Sequence, residues 1–357
     1  MSLKDIAEKT GVSVATVSRV LNDPNHRCAT PGLRDEILKT ARQLHYTPCE
    51  AARNLQSGAY GSSQIHYIHI LVTRTESAEI DPFFQELIRL LEGEIHRNLC
   101  ILSQIWYCPM FSKEENQRKD ALEKKAAQFW QSNQTKPDGL IIIGKCSKTG
   151  LKVLKTYFKN IVSVNRNSTE YEVDEVLCDG EKIAASAVDY LISLGHRAIG
   201  YVGNCRHEAR YQGFRKVLFQ YHLEENPDYV VESNAGEEAG FAAMEKLAKL
   251  DDPPTGIYFA HDILALGALK YLRQHKSPYY IPSIISSDDI EQAAYAEPML
   301  TTVRLPKEDM AKFALYLLLD RIDGGHKATT RVELESSLII RSSCSNAEQA
   351  FGCEYMI

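Results

Sequence analysis

Leu3-Lys4-Asp5-Ile6-Ala7-Glu8-Lys9-Thr10-Gly11-Val12-Ser13-Val14-Ala15-Thr16-Val17-Ser18-Arg19-Val20-Leu21-Asn22 is the stretch on which the reading of the chain turns. Its first ten residues carry apolar side chains at helical spacing and break at a glycine. Ser13 can cap a second helix, Val14 to Asn22, which buries Val17, Val20 and Leu21 and leaves Val14, Ala15, Ser18 and Arg19 outside. Two short helices joined at Gly11 form a helix-turn-helix, whose second helix fits a major groove. Thr30-Pro31, a cap followed by a proline in the first turn, announces a third helix that buries Leu33, Ile37, Leu38, Ala41 and Leu44. So small a bundle has little use except to present one helix to a partner, and DNA leads.

Outward from this head, Tyr46-Thr47-Pro48 closes the bundle and opens a short segment, Cys49 to Gln56. Isolated helices below roughly 12–15 residues are marginal in water, so this piece needs a partner to become helical. Ser57-Gly58-Ala59-Tyr60-Gly61-Ser62-Ser63 reads as a flexible linker. Apolar runs then alternate with amphipathic helices. Strands are expected at Tyr67–Val72, Ile101–Trp106, Leu140–Ile143, Ile161–Val164, Val176–Cys178, Ile199–Val202, Val230–Val231, Ile257–Phe259, Ile284–Ser286 and Thr301–Val303. Helices lie between many of them, and this alternation argues for parallel, doubly wound sheets, two rather than one. A cleft between two such lobes, near the carboxyl ends of strands, is the usual place for a small ligand.

The 357 residues suffice for two or three domains, and 44% hydrophobic content fits sizeable cores. The charged N-terminus and the lack of eighteen consecutive apolar residues argue against a signal peptide or membrane span, which leads to an expected cytoplasmic location. Nine cysteines lie scattered with no CxxC pair, so reduced thiols are expected rather than a metal site or disulfide framework. The net charge of −6 is uneven: residues 1–58 carry eight Lys/Arg against six Asp/Glu. A head so mildly basic binds phosphates weakly, and useful affinity requires two heads acting together. No GxxxxGK[ST] loop, GxSxG elbow or HExxH pair is present, which opposes an enzyme with an accessory head, and no cofactor is implied.

The segment 3–22 resembles the head of lactose-repressor/galactose-repressor family regulators. The likeness continues through Ala52-Arg53-Asn54-Leu55, Leu194-Gly195-His196-Arg197, Arg210-Tyr211-Gln212-Gly213-Phe214, Asp288-Asp289 and Thr301-Thr302-Val303-Arg304, in order along nearly the whole chain. Leu55 to Ala59, Asp81-Pro82-Phe83-Phe84 and Leu338-Ile339-Ile340-Arg341 look most like the evolved-β-galactosidase repressor branch. The resemblance implies a helix-turn-helix head at 1–47, a hinge helix and linker at 48–63, and a two-lobed, periplasmic-binding-protein-like ligand and dimerisation domain at 64–341. Lobe one would hold about 64–163 and 305–325, lobe two about 164–304 and 326–341, with a tail at 342–357 that lacks leucine heptads. A homodimer on pseudopalindromic double-stranded operator DNA is the implied assembly.

By the same resemblance, Leu3, Ser13, Val14, Ala15, Thr16, Ser18, Arg19 and Asn22 face DNA, with Val14 and Ala15 at the positions that choose bases. Being small and apolar, these two could only meet thymine methyls or permit close approach, while Arg19 can reach a guanine or clasp a phosphate. Leu55 is the implied minor-groove wedge, with Ala52 beside it allowing two hinge helices to approach. For the cleft, Arg210, Asp288, Asn165 and His261 are the candidate ligand groups, and Asp81 and Phe83, with Phe84, could add a polar contact and a stacking face. Plainer roles stand beside these: Arg210 as an ion pair with Glu208, Asp262 as a helix cap, Asp289 as a cap or turn residue, and Phe84 as core. Ala235 and Leu305 stand where the lactose repressor has a stacking tryptophan and a glutamine, so its ligand does not transfer. The expected function is a repressor of a carbohydrate-utilisation operon controlled by a saccharide, a β-galactoside or a relative. The alternative is a non-sugar corepressor such as a purine, or a phosphoprotein partner.

Overall fold

The structure, a computed structural model, describes residues 3–22, 30, 32–43, 65–74, 81–112, 119–131, 136–206, 208–275 and 279–351. The chain divides into two compact units, 1–64 and 65–357. In the first, α1 (Leu3–Thr10), α2 (Val14–Asn22) and α3 (Leu33–Gln43) close over Ile6, Ala7, Val17, Val20, Ile37 and Ala41. Gly11, at φ +66°, takes the left-handed turn between α1 and α2. Ser13 then caps α2, its Oγ accepting from the Thr16 amide at 3.2 Å. The expected Leu44, and the whole Cys49–Gln56 segment with Ala52 and Leu55, lie outside the described residues.

The second unit holds two six-stranded sheets. One has the order β11-β5-β4-β3-β1-β2 and is parallel throughout. Its strands are β1 (Tyr67–Val72), β2 (Ile101–Tyr107), β3 (Gly139–Ile143), β4 (Ile161–Asn165), β5 (Asp174–Leu177) and β11 (Arg331–Glu333). The other has the order β12-β10-β9-β8-β6-β7, parallel except for the edge pair β10–β12. It contains β6 (Ile199–Gly203), β7 (Val230–Glu232), β8 (Gly256–Phe259), β9 (Ser283–Asp288), β10 (Thr301–Arg304) and β12 (Ser337–Ile339). Strands such as β3 and β8 are buried along their whole length, as strands covered by helices on both faces must be. Each sheet reverses direction of growth once, between β1 and β3 and between β6 and β8. Such switch points leave a crevice outside the carboxyl ends of the strands, where ligands bind.

All ten expected strands are present, and two short ones, β11 and β12, went unread because three residues at an edge carry no periodicity. The lobe boundaries differ from expectation. The first crossing does not fall at 164: β5 pairs with β4, from Val162↔Asp174 to Asn165↔Leu177, so lobe one continues to Leu177. The segment 326–341 is shared, because β11 extends the first sheet and β12 the second. The chain therefore crosses between lobes near 178, 305 and 335. Nor is 342–350 a loose tail. Ser343 Oγ accepts from the Thr301 amide at 2.8 Å, Ala347 N donates to Leu194 O, and Ala350 is fully buried. His196, from the Leu194–Arg197 motif, is fully buried and joins Thr255, Ser283 and Ser345.

Two helices of lobe two, Glu237–Ala248 and Asp262–Gln274, touch backbone to backbone. A Cβ on Gly240 would sit 1.9 Å from Leu264 O, and one on Gly267 1.9 Å from Glu237 O. Only glycine permits that approach.

Candidate functional site

In the head, α2 turns Val17 and Val20 inward and leaves Val14, at 36% exposure, and Arg19 on the outside, as its 3.6-residue period requires. Ser13 is exposed, and Thr16 and Ser18 are half-buried on the same helix start. Leu3 and Asn22 close the ends of α1 and α2, and Ala15 follows Val14 in the first turn of α2. The helix thus offers the short Val14 side chain at its N-terminal turn and the Arg19 guanidinium further along, a surface fit to lie in a groove.

In the body, the carboxyl ends of the strands bring together side chains distant in sequence. Arg74 follows β1, Asn165 ends β4 with Arg166 next, Glu208 and Arg210 follow β6, His261 follows β8, and Asp288 ends β9. Arg74, Asn165, Arg166, Glu208 and Arg210, with Phe83 and Lys145 among others, line a narrow cleft between the lobes with about 20 Å³ of free space; His261 and Asp288 are bonded to its lining residues. Arg210 is 1% exposed and uses each arm: Nε donates to Glu208 Oε1 at 2.8 Å, Nη1 to the Ala260 carbonyl, and Nη2 faces His261 Nε2 at 3.1 Å. The ion pair with Glu208 foreseen for it is therefore made, by a side chain that also lines the cleft.

His261 joins the lobes. Its Nε2 also meets Arg74 Nη2 at 3.0 Å, and its Nδ1 lies 2.9 Å from Asp288 Oδ2. Guanidinium groups only donate, so Nε2 accepts and Nδ1 carries the proton to Asp288: the ring is neutral. Burial, and then the charges of Arg210, Arg74 and Arg166, hold the imidazole well below its ordinary 6.5. Asp288 Oδ1 receives Arg166 Nη2, a second bond across the cleft. Burial pushes the Asp288 carboxyl up, against the pull of Arg166 and Arg210. Burial likewise raises Glu208, but Arg210 and Arg74 overcome it and hold the carboxyl at about 2.

Other expected residues are placed differently. Asp81 is the N-cap of the helix Pro82–Arg97, its Oδ1 accepting from Phe83 N at 3.0 Å, and it does not line the cleft. Phe83 does line it, yet its ring is covered by the Arg166 guanidinium 4.2 Å from the centroid, so it offers no open stacking face. Phe84 is buried beside it. Asn165 lines the cleft, but its amide is engaged with Arg166 N and Asn167 O. Asp262 is not a helix cap. Its carboxylate accepts from Ser286, Thr302 and Ile290 N, fastening β9 and β10, and burial followed by the charge of Asp288 raises it to about 7. Asp289 instead pairs Arg304 and Arg341. Arg74 and Arg166 were missed, and Glu208 was foreseen only as a partner for Arg210. The position of the two arginines just past strand ends was the available signal.

A helix-turn-helix head on a two-lobed, doubly wound body with an interlobe polar cleft defines the class of ligand-responsive regulators. Residues 2–49 match the family described as bacterial regulatory proteins, lacI family, and residues 188–344 match the periplasmic binding protein-like domain. The HTH-type transcriptional repressor CytR of Escherichia coli is 29% identical over 96% of this chain and 96% of its own. Two solved structures share the fold. The transcriptional regulator CelR–cellobiose complex has TM-score 0.66 and 22% identity, over 96% of this chain and 100% of that one. The lac repressor dimer bound to operator and the anti-inducer ONPF has TM-score 0.63 and 20% identity, over 96% and 98%. The likeness to the lacI family thus falls on the head, that to the periplasmic binding protein-like domain on the body, and the likeness to a transcriptional repressor runs along nearly the whole chain. Among its described residues no helix is long and apolar enough to cross a membrane.

Proposed function

We propose that this regulator is a dimeric operator-binding repressor of carbohydrate-utilisation genes, released or reinforced by a small saccharide in the interlobe cleft. The observation that carries the reading is the pair of bonds spanning that cleft, Arg166 to Asp288 and Arg74 to His261. A ligand entering there must replace or rearrange them, so occupancy and lobe orientation are coupled, and differential affinity for two lobe arrangements is what allostery requires. The cleft as it stands holds only about 20 Å³ of free space, against the roughly 300–1,000 Å³ typical of ligand sites, so a sugar ring enters only as the lobes part. The exposed face of α2 supplies the reading head. The lac repressor dimer on its operator and the CelR–cellobiose complex support the assembly and the ligand class by analogy. The likeness of 55–59, 81–84 and 338–341 to the evolved-β-galactosidase repressor branch makes galactosides the first sugars to try.

In this reading Leu3, Ser13, Val14, Ala15, Thr16, Ser18, Arg19 and Asn22 meet the duplex, and Ala52 and Leu55 act at the operator centre. Arg210, His261, Asp288 and Asn165 hold the ligand. The test is fluorescence anisotropy on an operator duplex selected in vitro, titrated with the full-length protein and a sugar panel. A shift of tenfold or more in operator affinity with one sugar is expected, and indifference to every sugar would overturn ligand control by saccharides.

A further inference from the structure

We propose that the cleft ligand is an anionic saccharide, one whose carboxylate or phosphate group is received by Arg74 and Arg166. This rests on the saccharide reading above and narrows it. The argument is an inventory of donors and acceptors. A sugar hydroxyl both donates and accepts, so a site for a neutral sugar must offer free acceptors, usually carboxylates and amide oxygens. Here most of those acceptors are already engaged. Asp288 receives Arg166 on one oxygen and His261 on the other, and Glu208 gives its Oε1 to Arg210. The Asn165 oxygen accepts from Arg166 N, and the Asn167 oxygen from Ala209 N at 2.9 Å. Asp81 gives one oxygen to its helix.

Donors, by contrast, are in surplus. Three guanidinium groups bear about five N–H each. Yet for their side chains the described residues supply Glu208, the Ala260 carbonyl, Asp288, and the single His261 Nε2 shared by Arg74 and Arg210. Arg166 is 7% exposed, and its Nε, buried at the cleft wall, finds no acceptor among the described residues. Arg74, bonded through Nη2 to a neutral imidazole, has no carboxylate partner among the described residues. Lys145 adds a further cation to the lining. A group that only accepts, carries negative charge and presents two or three oxygens answers every one of these features.

The experiment pairs each neutral sugar with its acids. Galactose, galacturonate and galactose 6-phosphate, and the same set for glucose, are titrated calorimetrically into the full-length protein at low and high salt. Binding of at least one acid tenfold or more tighter than its neutral parent is expected, weakening as salt rises, with uronate against phosphate telling which oxyanion is meant. Arg74→Gln should abolish most of that preference while leaving the thermal midpoint of the ligand-free protein near wild type. Neutral parents that bind as tightly as their acids, or an acid preference untouched by Arg74→Gln, would overturn the inference. The operator assay separates the two claims: neutral sugars that shift DNA affinity keep the saccharide reading and sink the anionic one. Acids that bind without moving DNA affinity keep the site and sink the regulatory reading.

Discussion

Replacing Arg210 by methionine tests the centre of the cleft, because it removes the guanidinium that pairs with Glu208 while keeping most of the side-chain volume. Both groups are almost completely buried, at 1% and 3% exposure. The Glu208 carboxyl is held at about 2 against an ordinary 4.5, a depression worth about 3 kcal/mol at roughly 1.4 kcal/mol per unit. Without Arg210, burial acts on Glu208 with its nearest compensation gone, and breaking a buried pair in this way costs about 3–5 kcal/mol. The sign with pH follows. In the wild type the carboxylate's contribution is complete above 4.5 and is lost as pH falls toward 2. In Arg210→Met the buried carboxyl is instead relieved by protonation, so the deficit between variant and wild type should shrink on acidification.

The assay is urea unfolding followed by far-UV circular dichroism at neutral pH and near pH 5, extrapolated to water. Tryptophan fluorescence would be the poorer probe, since the two tryptophans, Trp106 and Trp130, both lie in lobe one. Glu208→Gln and the double variant complete a cycle, in which the pair should show a coupling of about 2 kcal/mol or more. Additive single effects, or a deficit that widens as pH falls, would refute the account of a buried charge held by its partner.

His69 is fully buried on β1 against Phe129 and Phe158, and neither ring nitrogen has a hydrogen-bond partner among the described residues. Burial lowers it to about 4, so as pH falls from 6.5 toward 4 the unfolded chain takes up a proton that the folded one refuses, and stability declines. His69→Leu should therefore stabilise by about 1–3 kcal/mol at neutral pH and blunt that acid sensitivity, read by thermal melts at pH 7.5 and 5. Gly267→Ala drives a methyl into the Glu237 carbonyl and should destabilise lobe two by at least about 1–3 kcal/mol in the same melts. An unchanged midpoint would mean the helix pair yields freely. Arg19→Ala should weaken operator binding by about 1–3 kcal/mol if the guanidinium reads a base, with the salt dependence little altered. Loss of about one unit of salt slope instead assigns it to a phosphate, and unaltered binding removes it from the interface.

The sequence alone determined a good deal. The periods of 3–22 and 33–43 set the head helices, Gly11 and Ser13 set the turn and cap, and the alternation of apolar runs with amphipathic helices set two doubly wound sheets. These are local signals, carried by residues within a few positions of one another. Arg210, His261 and Asp288 were also legible, through motif likeness and their place near strand ends. What only the tertiary structure decided is non-local. Periodicity says that Val176 lies in a strand but not which sheet that strand joins, so the lobe crossing at 178 waited on the pairing of β4 with β5. Side-chain engagement waited likewise. Asp81 is committed to its own helix end by a bond only two residues long, whereas Phe83 is covered by Arg166 and Asp262 fastens two strands because partners tens of residues away reach them first. Residue identity states what a group can bond to, but the packing of the chain decides which of those bonds are already made.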